Sequence, residues 1–468
     1  MSFTVDKQTL DDLNILGKYK GNSIFNLFNH THTRGGGQLL ESMFQHPLCN
    51  AEDIEVRSSL FQYFQKKKIE FPVKKELLDN VEYYLSAVGS SNLIGSALMM
   101  SQRKILQYIG SDKRYDIIHS GVISLIEFSN LLKDFFDQFE TVPNAPAYQK
   151  KIEKVRQIFS SKVFKKVLKN RGVTRLSMLK IIEYDHLLRY SCQNELKWIM
   201  ELLYETDVYI AVSDVARHRG FVYASAIPML ERENKINMVN VFHPQLPDAV
   251  PNSVNIDYNR NLIFLTGANM AGKSTFMKSF GVAVYLAHMG FPVAAENMVF
   301  SVQDGMYTSI NVGDDLNMGY SHFYAEVLRV KQVAEEVSLS KNLVIIFDEL
   351  FKGTNVKDAY DATVAVTEAF AENRNCTFIV STHIVEAGED LQKNCLNMEF
   401  VYFPTIIKEF IPTYTYKLQR GISSDRHGMM IINNERIVEI IKGTEAAGEA
   451  IASSKRYFGQ SPAQYQLE

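Results

Sequence analysis

The stretch FLTGANMAGKSTFMKS, from Phe264 to Ser279, constrains this chain more than any other feature. Residues 267–274 fit the pattern G-x-x-x-x-G-K-[ST], an apolar run precedes them, and a helical pattern follows. In such a unit, small residues let backbone N–H groups wrap a phosphate, and the helix N-terminus favours its negative charge. An accidental glycine-rich turn would lack the flanking strand and helix. The stretch therefore predicts a phosphate-binding loop.

The residue types in this loop also predict the ligand and its cation. Lys273 is expected to reach the β- and γ-phosphates of ATP, and the Ser274 hydroxyl is expected to hold Mg²⁺. The predicted cofactors are therefore ATP and Mg²⁺. The predicted ATP-binding residues are Gly267, Ala268, Asn269, Met270, Ala271, Gly272, Lys273, Ser274 and Thr275.

Two further strand ends carry polar groups that suit hydrolysis. The apolar run LVIIFDE ends in Asp348, expected to orient Mg²⁺ through water, and Glu349, expected to position the attacking water. Paired acids at a strand end are often only the start of a solvated loop, but these follow the lysine within one α/β block. The run CTFIVST leads to His383, which we predict senses or polarises the γ-phosphate, although a lone histidine is more often a surface or core residue.

The two halves of the chain differ in their apolar pattern. Residues 1–218 repeat apolar residues at three- and four-residue spacing, which predicts helices. In residues 219–468, short β-branched runs alternate with helical stretches, which predicts the buried strands of an α/β layer. These runs are 236–242, 262–267, 343–349 and 376–382. We therefore expect a multi-domain protein, with a helical domain at 1–218 and an α/β domain at 219–468 that ends in a helical close.

Length and composition narrow the class of protein. The 468 residues are enough for two or three domains. No apolar stretch approaches the roughly 18 residues of a membrane span. The start, MSFTVDKQTLDDLN, lacks the basic region and apolar core of a secretory signal. The four cysteines are scattered, with neither a CxxC pair nor a zinc spacing, which favours a reducing cytosol. Together with the lack of a spanning stretch, this predicts a cytoplasmic protein without a membrane partner.

The stretch 150–180 is conspicuously basic, with eleven lysines and arginines against the single acid Glu153. Its apolar residues recur on one side, so we expect one long amphipathic helix. Two interpretations stay open here: a face that is merely solvated, or a surface that contacts nucleic-acid phosphates and binds in a salt-dependent way. The candidate DNA contacts are Lys162, Lys165, Lys166, Lys169 and Arg171.

A polar segment, GDDLNMGYSHFYAE, lies between the loop and the acid pair. Gly319 and Ser321 precede an amphipathic helical pattern, and a serine at such a place is usually only an N-cap. A helix N-terminus also suits an anion, so the segment is a candidate contact for the γ-phosphate of a second subunit's nucleotide.

These motifs together resemble the MutS family of DNA mismatch-repair ATPases. TGANMAGKSTFMKS is similar to the family's TGPNMGGKST loop, GDDLNMGYSHFYAE to its DDL-xx-G-x-S-x-F-xx-E segment, and STH to its ATH. DELFKGTNVKDAY is similar to its DE-xx-(R/K)-GT-x-xx-D-(G/A) segment. The opening 66 residues resemble the start of the family's core/lever domain, and YKLQRGISSDRHGMMIINNERIVEII resembles its close. The resemblance therefore covers most of the chain.

The resemblance implies a helical lever/core domain followed by an ABC-type P-loop ATPase domain that dimerises around two ATP molecules. The residues that would serve one nucleotide from within their own subunit are Lys273, Ser274, Asp348, Glu349 and His383. Gly319 and Ser321 would complete the partner's site in trans, and Asn269 matches a family position that contacts the γ-phosphate. The implied partners are duplex, mismatched or branched DNA, a second copy of the chain and other repair proteins. The implied location is the nucleoid.

The chain also departs from the family pattern. Ala268 and Ala271 replace a proline and a glycine, and Ala271 suits the loop unless that position needs a positive φ. Ala249 stands where the family has an aromatic residue that stacks on adenine, and His322 stands where it has threonine. Since the chain begins at the lever domain, we expect no N-terminal mismatch-reading or connector domain, so direct mismatch reading is not expected of it alone.

Three hypotheses of different classes follow. The first is a DNA-dependent ATPase of the MutS type that drives a lever or clamp movement on DNA. The second is an ABC-type ATPase that acts on a protein or membrane partner without nucleic acid; the lever-like opening argues against it. The third is an assembly protein that uses ATP only as a dimerisation switch, which would not need Glu349.

Overall fold

The computed structural model describes residues 3–17, 22–86, 114–142, 144–230, 233–268, 270–310, 322–408, 411–423 and 437–441. Its helices in chain order are α1 Lys7–Asp12, α2 Ile24–Phe28, α3 Arg34–Gln45, α4 Ala51–Lys67, α5 Lys75–Ser86, α6 Arg114–Asp137, α7 Pro146–Ser160, α8 Lys162–Leu168, α9 Met178–His186, α10 Gln193–Arg219, α11 Lys273–His288, α12 His322–Ser338, α13 Val356–Ala371, α14 Val385–Asn394 and α15 Ile437–Ile441, with a π-helical turn at Leu187–Ser191. Its strands are β1 Thr4–Val5, β2 Val222–Tyr223, β3 Ser225–Ile227, β4 Lys235–Val241, β5 Asn252–Asp257, β6 Leu262–Gly267, β7 Pro292–Val293, β8 Asn297–Ser301, β9 Gly305–Ser309, β10 Leu343–Asp348, β11 Thr377–Ser381, β12 Met398–Phe403, β13 Thr405–Lys408, β14 Ile411–Tyr414 and β15 Gln419–Arg420.

The chain forms two compact units that interleave along the sequence. The first, which we call the helical unit, consists of Met1–Thr4, Leu13–Pro228 and Val282–Asp304. The second, the sheet unit, consists of Val5–Asp12, Met229–Gly281 and Gly305–Glu468. Each of these units is made of three segments of the chain. The domain boundaries expected at 1–218 and 219–468 therefore stay a prediction.

The helical unit is organised around α10, which packs against α3 and α4 and is buried along most of its length. Gly35 allows the closest of these contacts, since a Cβ at that position would lie 2.3 Å from the ring of Tyr204. Edge-on aromatic contacts join Phe291 to Phe28, Phe44 and Phe61, with ring centroids 5.0–5.5 Å apart. All four rings are fully buried. Aromatic burial of this kind is a major source of core stability.

The start of α3 is fixed by a buried carboxylate on α10. Asp207 accepts hydrogen bonds from the backbone N–H groups of His32 and Thr33, at 3.0 and 2.8 Å, and from the Thr33 hydroxyl at 2.7 Å. The same hydroxyl accepts from the N–H of Gly36, so Thr33 caps the helix. The hydrogen bond to Asp207 also raises the pKa of His32. The N–H and hydroxyl groups at the start of α3 and the oxygens of the buried carboxylate therefore supply each other's hydrogen-bond partners.

The basic stretch 150–180 does not form the single long helix that its pattern predicted. One helix, α7, ends at Ser160, and a second, α8, begins at Lys162. The residue between them, Ser161, is extended, and its hydroxyl accepts from the N–H of Phe164 at 3.3 Å. A serine side chain forms hydrogen bonds with nearby backbone groups in this way, so serine is more favourable at a helix cap than in a helix interior. The prediction was wrong because it counted apolar spacing and overlooked the cap.

The sheet unit contains a mostly parallel sheet in the order β1-β9-β10-β11-β6-β12-β15. β10 pairs in parallel with β9 and β11, and β6 pairs in parallel with β11 and β12. At one edge, β12 pairs antiparallel with β15. The strands predicted at 262–267, 343–349 and 376–382 are confirmed as β6, β10 and β11, within one residue at either end. In a parallel sheet, the carboxyl ends of the strands share one edge, which is where such folds bind ligands.

The helices of the described ranges include none that is both long enough and apolar enough to cross a membrane.

A buried histidine in the helical unit has both ring nitrogens occupied. The ring of His288 is fully buried, with ring centroids of Phe3 and Phe300 at 4.5 and 4.9 Å. Its Nδ1 lies 2.8 Å from the carbonyl oxygen of Val284, and its Nε2 accepts from the N–H of Gln303 at 2.9 Å. Nε2 must therefore be unprotonated. Burial lowers the pKa of His288 to about 4.

We predict that His288 makes the helical unit sensitive to mild acid. In the unfolded chain the imidazole binds a proton near pH 6.5, whereas in the folded chain it does so only near pH 4, so protons favour unfolding in this window. The free energy of unfolding should fall by up to about 3 kcal/mol between pH 6.5 and 4 and then level off. Urea unfolding across this pH range, compared with a His288→Gln variant that lacks the group, measures the effect.

The matched control is Phe300→Leu, which disturbs the packing against the ring and leaves the imidazole in place. It should lower stability about equally at every pH. If the His288→Gln variant loses as much stability between pH 6.5 and 4 as the parent does, the sensitivity does not come from His288.

Candidate nucleotide-binding site

The predicted phosphate-binding loop joins β6 to α11 in the sheet unit. Its glycines take conformations that favour glycine, with φ of +136° at Gly267 and +107° at Gly272. A Cβ at Gly267 would lie 3.3 Å from the Phe403 carbonyl oxygen, and one at Gly272 would lie 3.1 Å from the ring of Tyr416. Ala271 is fully buried and has no positive φ. Alanine therefore fits at 271 without strain.

Lys273 lies at the start of α11 and turns back toward the loop. Its Nζ donates to the carbonyl oxygens of Gly267 and Ala268, at 2.7 and 3.3 Å. Burial lowers the pKa of Lys273, and the charges of Asp348 and Glu349 act against that shift. Loop carbonyls are weak partners for an ammonium group compared with a phosphate. The lysine is thus positioned beside the loop, where an anion would bind it more strongly.

The next residue joins the loop to the acid pair. The Ser274 hydroxyl donates to Oδ2 of Asp348 at 2.6 Å, which links the first turn of α11 to the end of β10. Burial raises the pKa of Asp348, while the hydroxyls of Ser274 and Ser381 favour its ionised form. The other oxygen, Oδ1, is buried and makes no hydrogen bond of ordinary geometry within the described residues. A buried acceptor without a donor calls for a further partner.

These oxygens fit a Mg²⁺ ion. A hydroxyl and a carboxylate are hard ligands of the kind that Mg²⁺ prefers, and it commonly takes one or two carboxylates together with substrate phosphates. The described residues hold no group of three or more His, Cys, Asp or Glu side chains that would enclose a metal ion by itself. Ser274 and Asp348 would therefore hold Mg²⁺ only in company with a phosphate group.

Glu349 follows Asp348 in a left-handed conformation, with φ of +55°. Its N–H donates to the Ser381 carbonyl oxygen on the neighbouring strand at 2.8 Å. A non-glycine residue in this region of φ is uncommon and often marks a functional position. The backbone conformation turns the chain sharply at the end of β10, so that two successive acids both line one cavity.

That cavity has a volume of about 690 Å³ and lies within the sheet unit. Its lining includes the loop residues Lys273 and Ser274 together with the two acids. It also includes His243, Ala249 and Tyr416, and the Tyr416 ring lies close to Gly272 of the loop. Burial and the charge of Lys278 lower the pKa of His243 to about 4, so its ring is neutral near pH 7. The cavity therefore combines charged groups suited to phosphates with a neutral imidazole and an aromatic ring suited to a base.

The sequence predictions missed Tyr416. Its φ is +53°, and Asn252 fixes its segment by donating to the Tyr416 carbonyl at 3.0 Å and accepting from the Leu418 N–H at 2.8 Å. This contact joins residues more than 160 positions apart, and no motif around the tyrosine signals it. The aromatic ring that Ala249 does not provide is thus available from another part of the same cavity.

The other residues predicted for the site differ in whether they line the cavity. Ala268, Met270, Gly272 and Thr275 line the cavity, and 81% of the Met270 surface is exposed. His383 is exposed just after β11 and does not line it, so its role stays a prediction. Asn269, Gly319 and Ser321 lie outside the described residues, and their roles also stay predictions.

The five basic residues predicted to contact DNA are all exposed on the helical unit. Two of them are already paired: Lys166 with Glu183, and Arg171 with Asp134, the latter at 2.7 Å. Within the described ranges, the side chains of the other three make no ion pair or hydrogen bond. These three, Lys162, Lys165 and Lys169, follow one another at three- and four-residue spacing along α8 and its C-terminal end. They form what we call the lysine stripe.

Other cations of the basic segment are used inside the unit. Arg156 donates to the carbonyl oxygen of Phe136 at 2.8 and 3.0 Å. The Lys154 ammonium lies 3.3 Å from the ring centroid of Trp198, a cation–π contact. The net positive charge of the segment therefore overstates the charge that is available to a partner.

Both halves of the chain match models of known protein families. A model of MutS domain III matches residues 8–213, and a model of MutS domain V matches residues 263–451. The DNA mismatch repair protein MutS of Leuconostoc mesenteroides is 25% identical over 85% of this chain and 57% of its own length. The protein of that name from Petrotoga mobilis is 23% identical over 82% of this chain and 57% of its own. A third, from Streptococcus pyogenes, is 27% identical over 53% of this chain and 30% of its own. The chain thus spans little more than half the length of the first two relatives and less than a third of the length of the last.

We predict that Tyr416 contacts the base of a bound nucleotide. A Tyr416→Ala variant should bind a fluorescent ATP analogue about tenfold more weakly, because stacking of a base on an aromatic ring contributes that much. A Tyr416→Phe variant keeps the ring and should bind like the parent. Equilibrium fluorescence titration measures both. Equal affinity of the alanine variant and the parent would mean that the base lies elsewhere.

Proposed function

This chain belongs to the MutS family, and from that premise we propose that it binds and hydrolyses ATP in the cavity of the sheet unit and uses the nucleotide state to change its grip on DNA. One observation carries the ATPase proposal. The hydrogen bond from Ser274 to Asp348 brings the phosphate-binding loop to the acid pair, with Glu349 lining the same cavity. A loop, a carboxylate and a base in one cavity are what phosphoryl transfer to water requires.

The chemistry that we propose is of the ABC ATPase type. Lys273 would leave the loop carbonyls for the β- and γ-phosphates, since a charged acceptor binds an ammonium group more strongly. Ser274 and Asp348 would hold Mg²⁺, which when bound neutralises charge on the phosphates. Glu349 would accept a proton from the attacking water. His383, which is exposed just after β11, would contact the γ-phosphate.

We further propose a homodimer that closes around two nucleotides. Gly319 and Ser321 would complete the partner's site, and Asn269 would contact the γ-phosphate within its own subunit. The similarity of the loop and of the segment around Gly319 and Ser321 to the MutS family supports this arrangement. Nucleotide-driven closing of such a dimer would then alter the conformation of the helical unit, as a hinge or rigid-body transition.

The partner that we propose for the helical unit is duplex, mismatched or branched DNA, within mismatch repair or a related role and together with other repair proteins. The lysine stripe supports a contact with the phosphate backbone, which positions a protein on DNA without reading its sequence. Lys166 and Arg171 would contribute only by exchanging Glu183 and Asp134 for a phosphate. A location on the nucleoid would follow from this binding.

We predict that Glu349→Gln separates ATP binding from hydrolysis. Removal of the base should slow turnover by at least about a hundredfold, while the unchanged loop still binds ATP. ATP-bound dimers should accumulate, which size-exclusion chromatography with light scattering detects. Glu389→Gln, an exposed acid on α14, is the control and should hydrolyse ATP at the parent rate. Parent-level turnover of Glu349→Gln would show that another group is the base.

We predict that the lysine stripe carries the salt-dependent part of DNA binding. Reversal of all three charges, with Lys162, Lys165 and Lys169 changed to Glu, should weaken binding to duplex DNA at about 50 mM salt. It should also reduce the slope of log K against log salt concentration by about three, where K is the association constant for DNA. Each lysine that neutralises a phosphate releases about one counterion. Fluorescence anisotropy over a salt series measures both quantities.

The matched control reverses three other exposed lysines of the helical unit, Lys66, Lys68 and Lys74, and so changes the net charge equally. That variant should keep the parent's salt dependence. An unchanged affinity of the stripe variant would make the stripe a solvated face. Absence of any DNA binding by the parent at about 50 mM salt, where phosphate contacts are strongest, would instead favour an ATPase that acts on a protein partner.

A further inference from the structure

The last residue of β11, Ser381, lies directly beside the acid pair. β10 and β11 run in parallel, and their register pairs Asp348 with Ser381, the final residue of each strand. Residues at paired positions project from the same face of a sheet. Ser381 is fully buried. Its side chain therefore shares a water-excluded face with the Asp348 carboxylate.

Two complementary polar atoms remain unpaired at this place. The Ser381 hydroxyl oxygen and Oδ1 of Asp348 are both buried, and neither makes a hydrogen bond of ordinary geometry in the part of the chain that is described. One is a donor and the other an acceptor. The hydroxyl already lies close enough to favour ionisation of Asp348 and so to oppose the effect of burial on its pKa. Leaving both atoms unsatisfied would be costly.

The same residue also holds the second acid. The Ser381 carbonyl oxygen accepts from the Glu349 N–H at 2.8 Å, where the Glu349 backbone is left-handed. Neighbouring polar residues of this segment do not duplicate the contact. The Thr382 hydroxyl accepts from the N–H of Ile384 at 3.0 Å, and His383 is exposed. Ser381 alone in this segment thus reaches both acids, through its hydroxyl and through its carbonyl.

We infer that Ser381 is a positioning residue for the Mg²⁺ and water sites of the proposed ATPase. Reoriented toward the acid pair, its hydroxyl would donate to Oδ1 of Asp348 and hold the carboxylate in one orientation, so that Oδ2 stays directed at Ser274. Without this donor the carboxylate is free to rotate, and the oxygens offered to the cation become less well ordered. This inference rests on the proposed function, since it assigns Ser381 a task in that same site.

The test uses Ser381→Ala, which removes the hydroxyl and keeps the carbonyl that binds Glu349. Binding of a fluorescent, non-hydrolysable ATP analogue is followed while Mg²⁺ is titrated. The Mg²⁺ concentration at half-maximal binding should rise about tenfold, as is typical when a residue that orients a metal ligand is removed. Affinity for the analogue in the absence of Mg²⁺ should not change, which separates an effect on the cation from a general loss of structure.

The matched control is Thr367→Val. Thr367 is fully buried on α13, and its hydroxyl likewise makes no hydrogen bond with any described residue. Valine keeps its shape, so this variant should keep the parent's Mg²⁺ midpoint. A second variant, Ser381→Thr, retains a hydroxyl and should lie closer to the parent than Ser381→Ala does.

Two results would overturn the inference while leaving the proposed function intact. One is a Ser381→Ala midpoint within twofold of the parent, and the other is an equal rise in Thr367→Val. Failure of the parent itself to bind the analogue at any Mg²⁺ concentration would instead contradict the proposed function.

Discussion

The hydrogen bond between Ser274 and Asp348 is the contact on which the candidate site depends. It joins the first turn of α11 to the end of β10 through two residues that lie 74 positions apart in the sequence. The contact is possible because β6, β11 and β10 are neighbours in a parallel sheet, so that their carboxyl ends meet at one edge. A loop after one strand and an acid pair after another then line a single cavity. The order of the strands therefore brings the site together, and the motifs supply the side chains that line it.

The parts of this structure that follow from local pattern were predictable from the sequence. β6 and β10 are continuous apolar runs because both faces of the sheet are covered, and the loop glycines have φ values that favour glycine. Tyr416 could not be predicted, because its place in the cavity depends on Asn252 in a distant segment. The helix predicted over the basic segment failed for a local reason, since a single serine cap outweighed a continuous apolar face. The apolar pattern of the sequence thus identifies helices and strands, whereas side-chain contacts such as the serine cap determine where they end.

Charge is the property that sequence represents least well here. The basic segment is nearly free of acids, yet Glu183 and Asp134 reach it from other helices and pair with Lys166 and Arg171. Lys154 is taken up by an aromatic ring. Since exposed ion pairs contribute little to stability, these pairings matter chiefly because they reduce the charge open to a partner. Of the five residues predicted to contact DNA, the three of the lysine stripe make no ion pair within the described ranges.

Two buried carboxylates show how structure separates a supporting role from a functional one. Asp207 in the helical unit has both oxygens satisfied: one accepts from the His32 backbone N–H and lies 3.1 Å from its ring Nδ1, and the other accepts from the backbone and hydroxyl of Thr33. Among the described residues, Asp348 in the sheet unit has one donor of ordinary geometry, Ser274, and an oxygen that is buried without one. A carboxylate with all its acceptors filled has no capacity left for a ligand, and it stabilises what surrounds it. A carboxylate with an unfilled acceptor raises the free energy of the empty state, so a cation or a reoriented hydroxyl that fills it binds more favourably. The difference between these two aspartates lies in their donors, which residue type and spacing do not reveal.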